Sequence, residues 1–159
     1  MRGSGGGSWL EQAVWRAAAR LDAAFVGGTA AGRAVAARRL AGLGEGLTPA
    51  GDDYLLGAFH ALWALDHPLR REAPALAELA AARTTSHSAA WLRAAAGGSV
   101  SPPWARLLLA LAAASDAAVA PSAAAVAATG HSSGRWSLRG FCVLARCLAA
   151  APPIALEAR

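Results

Sequence analysis

The stretch 42–53 combines residue types that could bind either an anion or a metal cation. It contains four glycines, Thr48, Pro49 and two adjacent carboxylates, Asp52 and Asp53, and an apolar run follows it directly. We therefore expect a tight loop that leads into the N-terminus of a buried helix. Free N–H groups at a helix start attract phosphates and carboxylates, whereas a carboxylate pair can hold a divalent cation such as Mg²⁺.

Known nucleotide-binding loops do not explain this stretch. A Walker-type phosphate loop requires a Lys, and the chain contains none. A dinucleotide fingerprint follows a strand, and no strand pattern precedes residue 42. Capping of the helix would explain one Asp but not the four glycines and the second Asp. We therefore favour a functional role, with one carboxylate as the cap and the other as a ligand or hydrogen-bond acceptor.

Two further loops, around residues 84–88 and 130–134, place polar side chains just before apolar helices. Capping is the simpler interpretation of both, although Gly130 and Gly134 favour a close approach of another group to the backbone. His131 is the best histidine candidate for an acid–base or substrate-binding role, and an ordinary loop histidine is the alternative. No two of the four histidines have the spacing of a zinc site.

Helical periodicity dominates the sequence, and no segment alternates like a strand. We predict an all-α fold, a compact bundle of seven or eight short helices with Gly-, Ser- and Thr-rich loops that converge at helix N-termini on one polar pocket. Gly and Pro breaks predict helices over 9–25, 29–40, 54–65, 71–83, 89–96, from 102 onwards, 121–130 and 136–150. In the helix from residue 102, we expect Leu107, Leu108, Leu109 and Leu111 to be fully buried.

The composition limits the class of protein. The 159 residues suffice for one domain, with a single helical domain over 9–159 and a flexible leader or cloning scar over the Gly/Ser-rich residues 1–8. The charge of +5 comes from Arg without Lys, which we attribute to a GC-rich genome, and no nucleic-acid motif accompanies it. No apolar run is long enough for a membrane span. Cys142 and Cys147 are expected to be buried free thiols of a cytoplasmic protein.

Three segments of the sequence resemble one family. Residues 44–57, GEGLTPAGDDYLLG, resemble the G-x-G-L-T-P-x-G-D-D-x-L-x-G signature of the AllH-like proteins. Thr85 and Ser88 are similar to that family's T-x-x-S segment, and residues 130–140 to its G-x-S-S-G-x-D-x-L-x-G element. Two departures stand out. Trp136 occupies the Asp position of the last element, and family members tend to be longer, with a region ahead of the signature that is nearly absent here.

The resemblance implies a subunit of the oxamate carbamoyltransferase of allantoin breakdown, within a multi-subunit assembly or a homo-oligomer and without nucleic acid or membrane. Its substrates would be carbamoyl phosphate and oxamate or a related small amide acid, with the anionic substrate bound at 42–53. A non-catalytic small-anion-binding or scaffold subunit is the alternative, which Trp136 and the short N-terminal region favour. No cofactor is expected, except that Asp52 and Asp53 could hold Mg²⁺.

The candidate site residues come from the three polar loops. The candidate catalytic residues are Asp52, Asp53 and His131. The candidate substrate-binding residues are Gly44, Gly46, Thr48, Gly51, Thr85, Ser88, Ser132, Ser133 and Gly134. Arg38, Arg39 or Arg83 could add positive charge and bidentate geometry to this pocket.

Overall fold

A computed structural model describes residues 9–151 and shows them as an all-α bundle, as the sequence predicts. The helices are α1 (Trp9–Gly27), α2 (Ala30–Leu40), α3 (Ala50–Ala64), α4 (Ala73–Ala81), α5 (Ser86–Ala96), α6 (Pro102–Ala112), α7 (Asp116–Ala127) and α8 (Ser133–Ala150), with a 3₁₀ turn over Pro68–Glu72. The predicted leader, 1–8, lies outside the described residues. Within the described part of the chain, no helix has the length and apolar character to cross a membrane.

The centre of the fold is the pair α3 and α8, whose backbones touch through two glycines. A Cβ atom on Gly57 would lie 1.8 Å from the carbonyl oxygen of Ser137, and one on Gly140 would lie 2.0 Å from the carbonyl oxygen of Tyr54. Only glycine therefore fits at either crossing point. This close packing holds the N-terminal ends of α3 and α8 side by side, and those ends carry two of the polar loops.

Several helix starts differ from the sequence prediction. Helix α3 begins at Ala50 rather than residue 54, and α8 begins at Ser133 rather than residue 136, so the end of the stretch 42–53 is helical. Helix α5 begins at Ser86 rather than residue 89, because the Thr85 hydroxyl caps it by accepting a 3.0 Å hydrogen bond from the Ser88 N–H. Helix α7 begins at Asp116 and contains Pro121 in its interior, where the sequence suggested a helix start. Both Pro121 and Ala117, whose carbonyl loses its hydrogen bond to the proline, are exposed, so water can satisfy that carbonyl.

Several burial predictions are wrong, and Leu108 is half-buried rather than fully buried. Leu109 is 70% exposed and Leu111 is 42% exposed, because α6 turns only the face of Trp104, Leu107 and Ala110 towards the core. Consecutive leucines in a helix point in different directions around its axis, so some of them must face away from the neighbouring helices. The two thiols are free, as expected, but Cys142 is exposed rather than buried.

Candidate functional site

The loop 42–53 depends on glycines at two tight turns. Gly42 has a φ of +75°, and a Cβ there would lie 2.3 Å from the carbonyl oxygen of Arg83. Gly44 has a φ of +127°, and its Cβ would lie 2.4 Å from the Ala50 nitrogen. Side chains rarely adopt such backbone angles. The two glycines therefore let the chain leave α2, reverse tightly and enter α3.

Asp52 fastens this loop to the start of α5. One carboxylate oxygen accepts a 2.8 Å hydrogen bond from the Gly42 N–H, and the other accepts from the hydroxyl of Ser88 at 2.7 Å and from that of Thr84. Asp52 is fully buried, and a buried carboxylate requires such donors. The interpretation of one Asp as the cap of α3 is wrong, since the capping position is Pro49 and no side chain caps it.

Two more hydrogen bonds bring the three polar loops together. The Thr85 hydroxyl donates to the carbonyl oxygen of Leu47 at 2.5 Å, and it also caps α5. The hydroxyls of Thr48 and Ser133 share a hydrogen bond of 2.7 Å. Loop 42–53 therefore contacts the loop before α5 on one side and the start of α8 on the other.

Two cavities meet at this junction, and they share Thr48, Gly130 and Ser133 as a common wall. The inner pocket has a volume of about 250 Å³ and extends towards α5, α6 and α7. The outer groove has a volume of about 900 Å³ and extends along the first turns of α8 towards α1. Among residues 9–151, the charged residues of the outer groove are two arginines and two glutamates, whereas the inner pocket contains two aspartates and no arginine.

Asp53 supplies the carboxyl group of the inner pocket. Its side chain is buried, with 6% of its surface exposed, and its Oδ2 atom has no hydrogen-bond partner within residues 9–151. Burial raises the pKa of Asp53 to about 7, hydrogen bonding from Ser133 opposes that rise, and the neighbouring Asp52 charge adds to it. Near neutral pH the carboxyl is therefore divided between its protonated and ionised forms.

The outer groove has a positively charged wall formed by Arg135 and Arg139 of α8. The guanidinium of Arg139 lies 4.7 Å from the ring centroid of Trp136 and 5.2 Å from that of Trp15. Such stacking fixes the cation by a cation–π interaction and leaves its N–H edges available. Both arginines also lie near the positive end of the α8 dipole, which favours anions.

Sequence reasoning missed several residues that line the cavities. The arginines predicted to add charge, Arg38, Arg39 and Arg83, line neither cavity, and Arg135 and Arg139 take that position instead. The two arginines are four residues apart just after the loop 130–134, which places them on one helix face. The sequence alone could therefore have identified them as candidates. The inner pocket also contains His87, Trp91, Ser101 and Trp104, which no local motif marks.

The structure distributes the predicted site residues among three places. The outer groove contains Gly44, Gly46, Thr48, His131, Ser132 and Ser133. The inner pocket contains Asp52, Asp53, Ser88 and Gly134, and shares Thr48 and Ser133 with the groove. Gly51 and Thr85 line neither cavity: a Cβ on Gly51 would lie 2.1 Å from the Leu40 carbonyl oxygen, and Thr85 caps α5.

Asp52 and Asp53 differ as ligands for the Mg²⁺ that the sequence allowed. Both oxygens of Asp52 accept hydrogen bonds from the protein, whereas Asp53 retains a free oxygen. Within residues 9–151, no group of three His, Cys, Asp or Glu side chains is placed to hold a metal ion. A Mg²⁺ ion here would therefore depend on Asp53, waters and substrate oxygens, and it stays a prediction.

Comparison with known protein families identifies the family to which the chain belongs. The family described as oxamate carbamoyltransferase subunit AllH matches residues 40–145. The chain belongs to the AllH family. The match confirms the resemblance of the three loops and includes all of the inner pocket and all of the outer groove except its α1 wall. No curated protein and no solved structure matches the chain. The family name describes one subunit of an enzyme and therefore implies other protein subunits.

Proposed function

We propose that this chain is a subunit of an oxamate carbamoyltransferase that binds its small anionic substrate in the outer groove, beside loop 42–53. The observation that carries the proposal is the Thr48–Ser133 hydrogen bond of 2.7 Å, where the family's first and last sequence elements meet. On one side of this contact lie two arginines and a helix N-terminus, and on the other side lies Asp53. A substrate with a charged end and a polar uncharged end matches this division.

The groove supplies donors suited to an oxyanion. Within residues 9–151, the N–H groups of Ser133 and Arg135 have no hydrogen-bond acceptor, whereas those of Gly134 and Trp136 bond to the Thr129 and Ser132 carbonyls. Free N–H groups in the first turn of a helix bind phosphate or carboxylate oxygens. Arg135 and Arg139 add charge-assisted donors. His131 is exposed at the rim of the groove, so it can reach a bound substrate without burying a charge.

The proposed reaction transfers a carbamoyl group from carbamoyl phosphate to the amide nitrogen of oxamate. The nitrogen forms a bond to the carbamoyl carbon, the bond from that carbon to the phosphate oxygen breaks, and phosphate leaves with the electron pair. The proton lost by the nitrogen passes to a base, for which His131 is the candidate, while Asp53 faces the uncharged end of the substrate. Fixed donors around the groove stabilise the negative charge that develops on oxygen. The cytoplasm and allantoin breakdown, as location and pathway, are part of this proposal and rest on the resemblance.

The second candidate function is a non-catalytic anion-binding or scaffold subunit. It is favoured by Trp136, which stands where the family's element carries an Asp and stacks on Trp15 with ring centroids 5.1 Å apart. The indole of Trp136 lines the groove and holds the Arg139 guanidinium by a cation–π interaction, but unlike a carboxylate it offers no acid–base group. In this alternative, the groove still binds an anion, but the reacting groups come from another subunit or from a second copy of the chain.

A thermal-shift series tests the proposal. The purified chain is heated with oxamate, carbamoyl phosphate, phosphate and Mg²⁺, alongside Arg135→Gln and the control Arg106→Gln, whose arginine is exposed on α6 and lines neither cavity. A ligand at 100 times its dissociation constant stabilises the native state by about 2.7 kcal/mol. We expect oxamate or carbamoyl phosphate to raise the melting temperature of the wild type and the control but not of Arg135→Gln.

The absence of any shift with the anions would contradict binding by this chain. A carbamoyl-transfer assay, run with the chain alone and with candidate partner subunits, then separates the two candidate functions. Activity that requires this chain and falls in His131→Gln supports a catalytic subunit. Activity that requires the chain but is unchanged in His131→Gln and Asp53→Asn supports the scaffold.

A further inference from the structure

We infer that the inner pocket is a primary-carboxamide site, in which Asp53 pairs with a terminal H₂N–C(=O)– group while the charged end of the same ligand lies in the outer groove. The inference rests on the proposed function for the identity of the whole ligand, but the chemistry of the pocket is argued from its own residues. The carboxamide is common to oxamate and carbamoyl phosphate, so the pocket chemistry admits either.

The inner pocket has polar groups that the protein leaves unused. Asp53 Oδ2 is buried without a partner within residues 9–151. Ser101 lines the same pocket, and its side chain forms no capping hydrogen bond to α6. A buried polar atom without a hydrogen-bond partner destabilises the folded protein. A ligand that supplies both a donor and an acceptor would recover that free energy.

The charge of the pocket excludes an anion as its natural occupant. Among residues 9–151, no arginine lines it, and its carboxyl groups, Asp52 and Asp53, would repel a second carboxylate or a phosphate. Its remaining walls include the apolar side chains of Leu56, Trp104 and Val126. An unpaired charge in such surroundings is costly, whereas a neutral polar group with matched hydrogen bonds is accepted.

A carboxylic acid and a primary amide are complementary in hydrogen bonding. The acid O–H donates to the amide oxygen, and the acid carbonyl accepts from the amide N–H. Burial raises the pKa of Asp53 to about 7, so the acid form is available near neutral pH. The volume of about 250 Å³ is several times that of a water molecule, whose share of liquid volume is about 30 Å³, and a carboxamide has only three heavy atoms.

Three titratable groups from the described residues, 9–151, line the pocket. Helix α3 contributes Asp52 and Asp53, and α5 contributes His87, whose Nε2 accepts a 3.2 Å hydrogen bond from the Trp91 indole. The other residues in 9–151 that line the pocket carry hydroxyl, indole and apolar groups, none of which titrates near neutral pH. Of the two carboxyl groups, Asp53 is the one with a buried oxygen that no residue in 9–151 bonds to, so it is the one available to a ligand.

Acetamide and acetate test the inference, since both are small and only acetate carries charge. Binding is followed by NMR through the indole N–H signals of Trp91 and Trp104, in the wild type, Asp53→Asn, Asp53→Ala and the control Asp116→Ala, an exposed residue on α7. Acetamide should move both signals at pH 6, and acetate should require at least tenfold higher concentration. Asp53→Asn, whose side-chain amide keeps a donor and an acceptor, should still bind acetamide, and Asp53→Ala should bind it at least tenfold more weakly than wild type.

Several outcomes would overturn the inference: no acetamide response in the wild type, acetate binding as tightly as acetamide, or an unchanged affinity in Asp53→Ala. Where Asp53→Ala does not fold, the wild-type comparison of acetamide with acetate decides alone. Acetamide has no anionic group, so its binding should be unchanged in Arg135→Gln, and a failure of the proposed function would leave this result intact. Oxamate against oxalate, and carbamoyl phosphate against acetyl phosphate, then identify which substrate places its carboxamide in the pocket.

Discussion

Asp52 and Asp53 are adjacent in sequence but have opposite hydrogen-bonding environments. Both oxygens of Asp52 accept hydrogen bonds from the backbone or hydroxyls of neighbouring loops, whereas Asp53 Oδ2 accepts none within residues 9–151. Successive residues of a helix point about 100° apart, so one carboxylate faces the loops and the other faces the inner pocket. Asp52 therefore holds the loops together, and under the proposed function Asp53 is the residue that we expect to contact a ligand.

Replacement of Asp52 should therefore reduce stability more than a typical polar substitution. Asp52→Ala removes the acceptor for the Gly42 N–H and the Ser88 hydroxyl, which are left buried without partners. We expect a loss of about 2–4 kcal/mol in the free energy of unfolding, measured by urea denaturation. Asp116→Ala, at an exposed position, should change it by less than about 0.5 kcal/mol. An equal, small effect of both substitutions would contradict the structural role of Asp52.

The contact between α3 and α8 predicts a second stability effect. Gly57→Ala would place a Cβ atom 1.8 Å from the Ser137 carbonyl oxygen, so the two helices would have to separate. Overpacking of this kind costs about 1–3 kcal/mol or more. Gly27→Ala is the matched control, since nothing lies within 4 Å of a Cβ there. Thermal denaturation of the two variants should show a large loss for Gly57→Ala and almost none for Gly27→Ala.

The stability of the protein should depend on pH through Asp53. Its folded-state pKa is raised from 3.8 to about 7 by burial, so the native state holds this proton more tightly than the unfolded state. The stabilisation is complete below pH 3.8 and is lost as the pH rises to about 7. Burial also raises the pKa of Asp22, to about 6, although the hydrogen bond from Tyr54 opposes this rise. Asp22 therefore also stabilises the protein more at low pH than at high pH.

The unfolding free energy of Asp53→Asn should therefore depend less on pH than that of the wild type. Between pH 5 and pH 8, the wild type should lose more stability than Asp53→Asn. Urea titrations at a series of pH values measure this profile. Asp116→Asn, an exposed control, should leave the profile unchanged. A wild-type slope between pH 4 and pH 7 that persists in full in Asp53→Asn would show that other groups cause it.

The hydrogen bond between Thr48 and Ser133 should couple the first and last polar loops. The hydroxyls are 2.7 Å apart, and a neutral hydrogen bond contributes about 0.5–1.5 kcal/mol net. Thr48→Val, Ser133→Ala and the double variant form a thermodynamic cycle of unfolding free energies. We expect a coupling energy of about that size, whereas exact additivity of the two single substitutions would show that the contact does not join the loops.

Sequence reasoning identified the polar loops but not the roles within them. The density of glycines marked 42–53, and the structure explains Gly42 and Gly44 by turns that side chains would block. The division between Asp52 and Asp53 could not be predicted, because it depends on Thr84 and Ser88, which are 32 and 36 residues away in sequence. The positions of Arg38 and Arg39 could not be predicted either. The local sequence shows that they are charged, but only the packing of the helices shows which arginines face a cavity.

The most direct test of the central claim is calorimetric titration of oxamate into the wild-type chain, Arg135→Gln and the control Arg106→Gln. Loss of one charge-assisted contact costs about 1.5–3 kcal/mol, so Arg135→Gln should bind at least tenfold more weakly, with Arg106→Gln unchanged. Saturable binding that is lost in Arg135→Gln alone would place the anionic substrate in the outer groove. No binding by the wild type, or equal affinity in all three proteins, would contradict it.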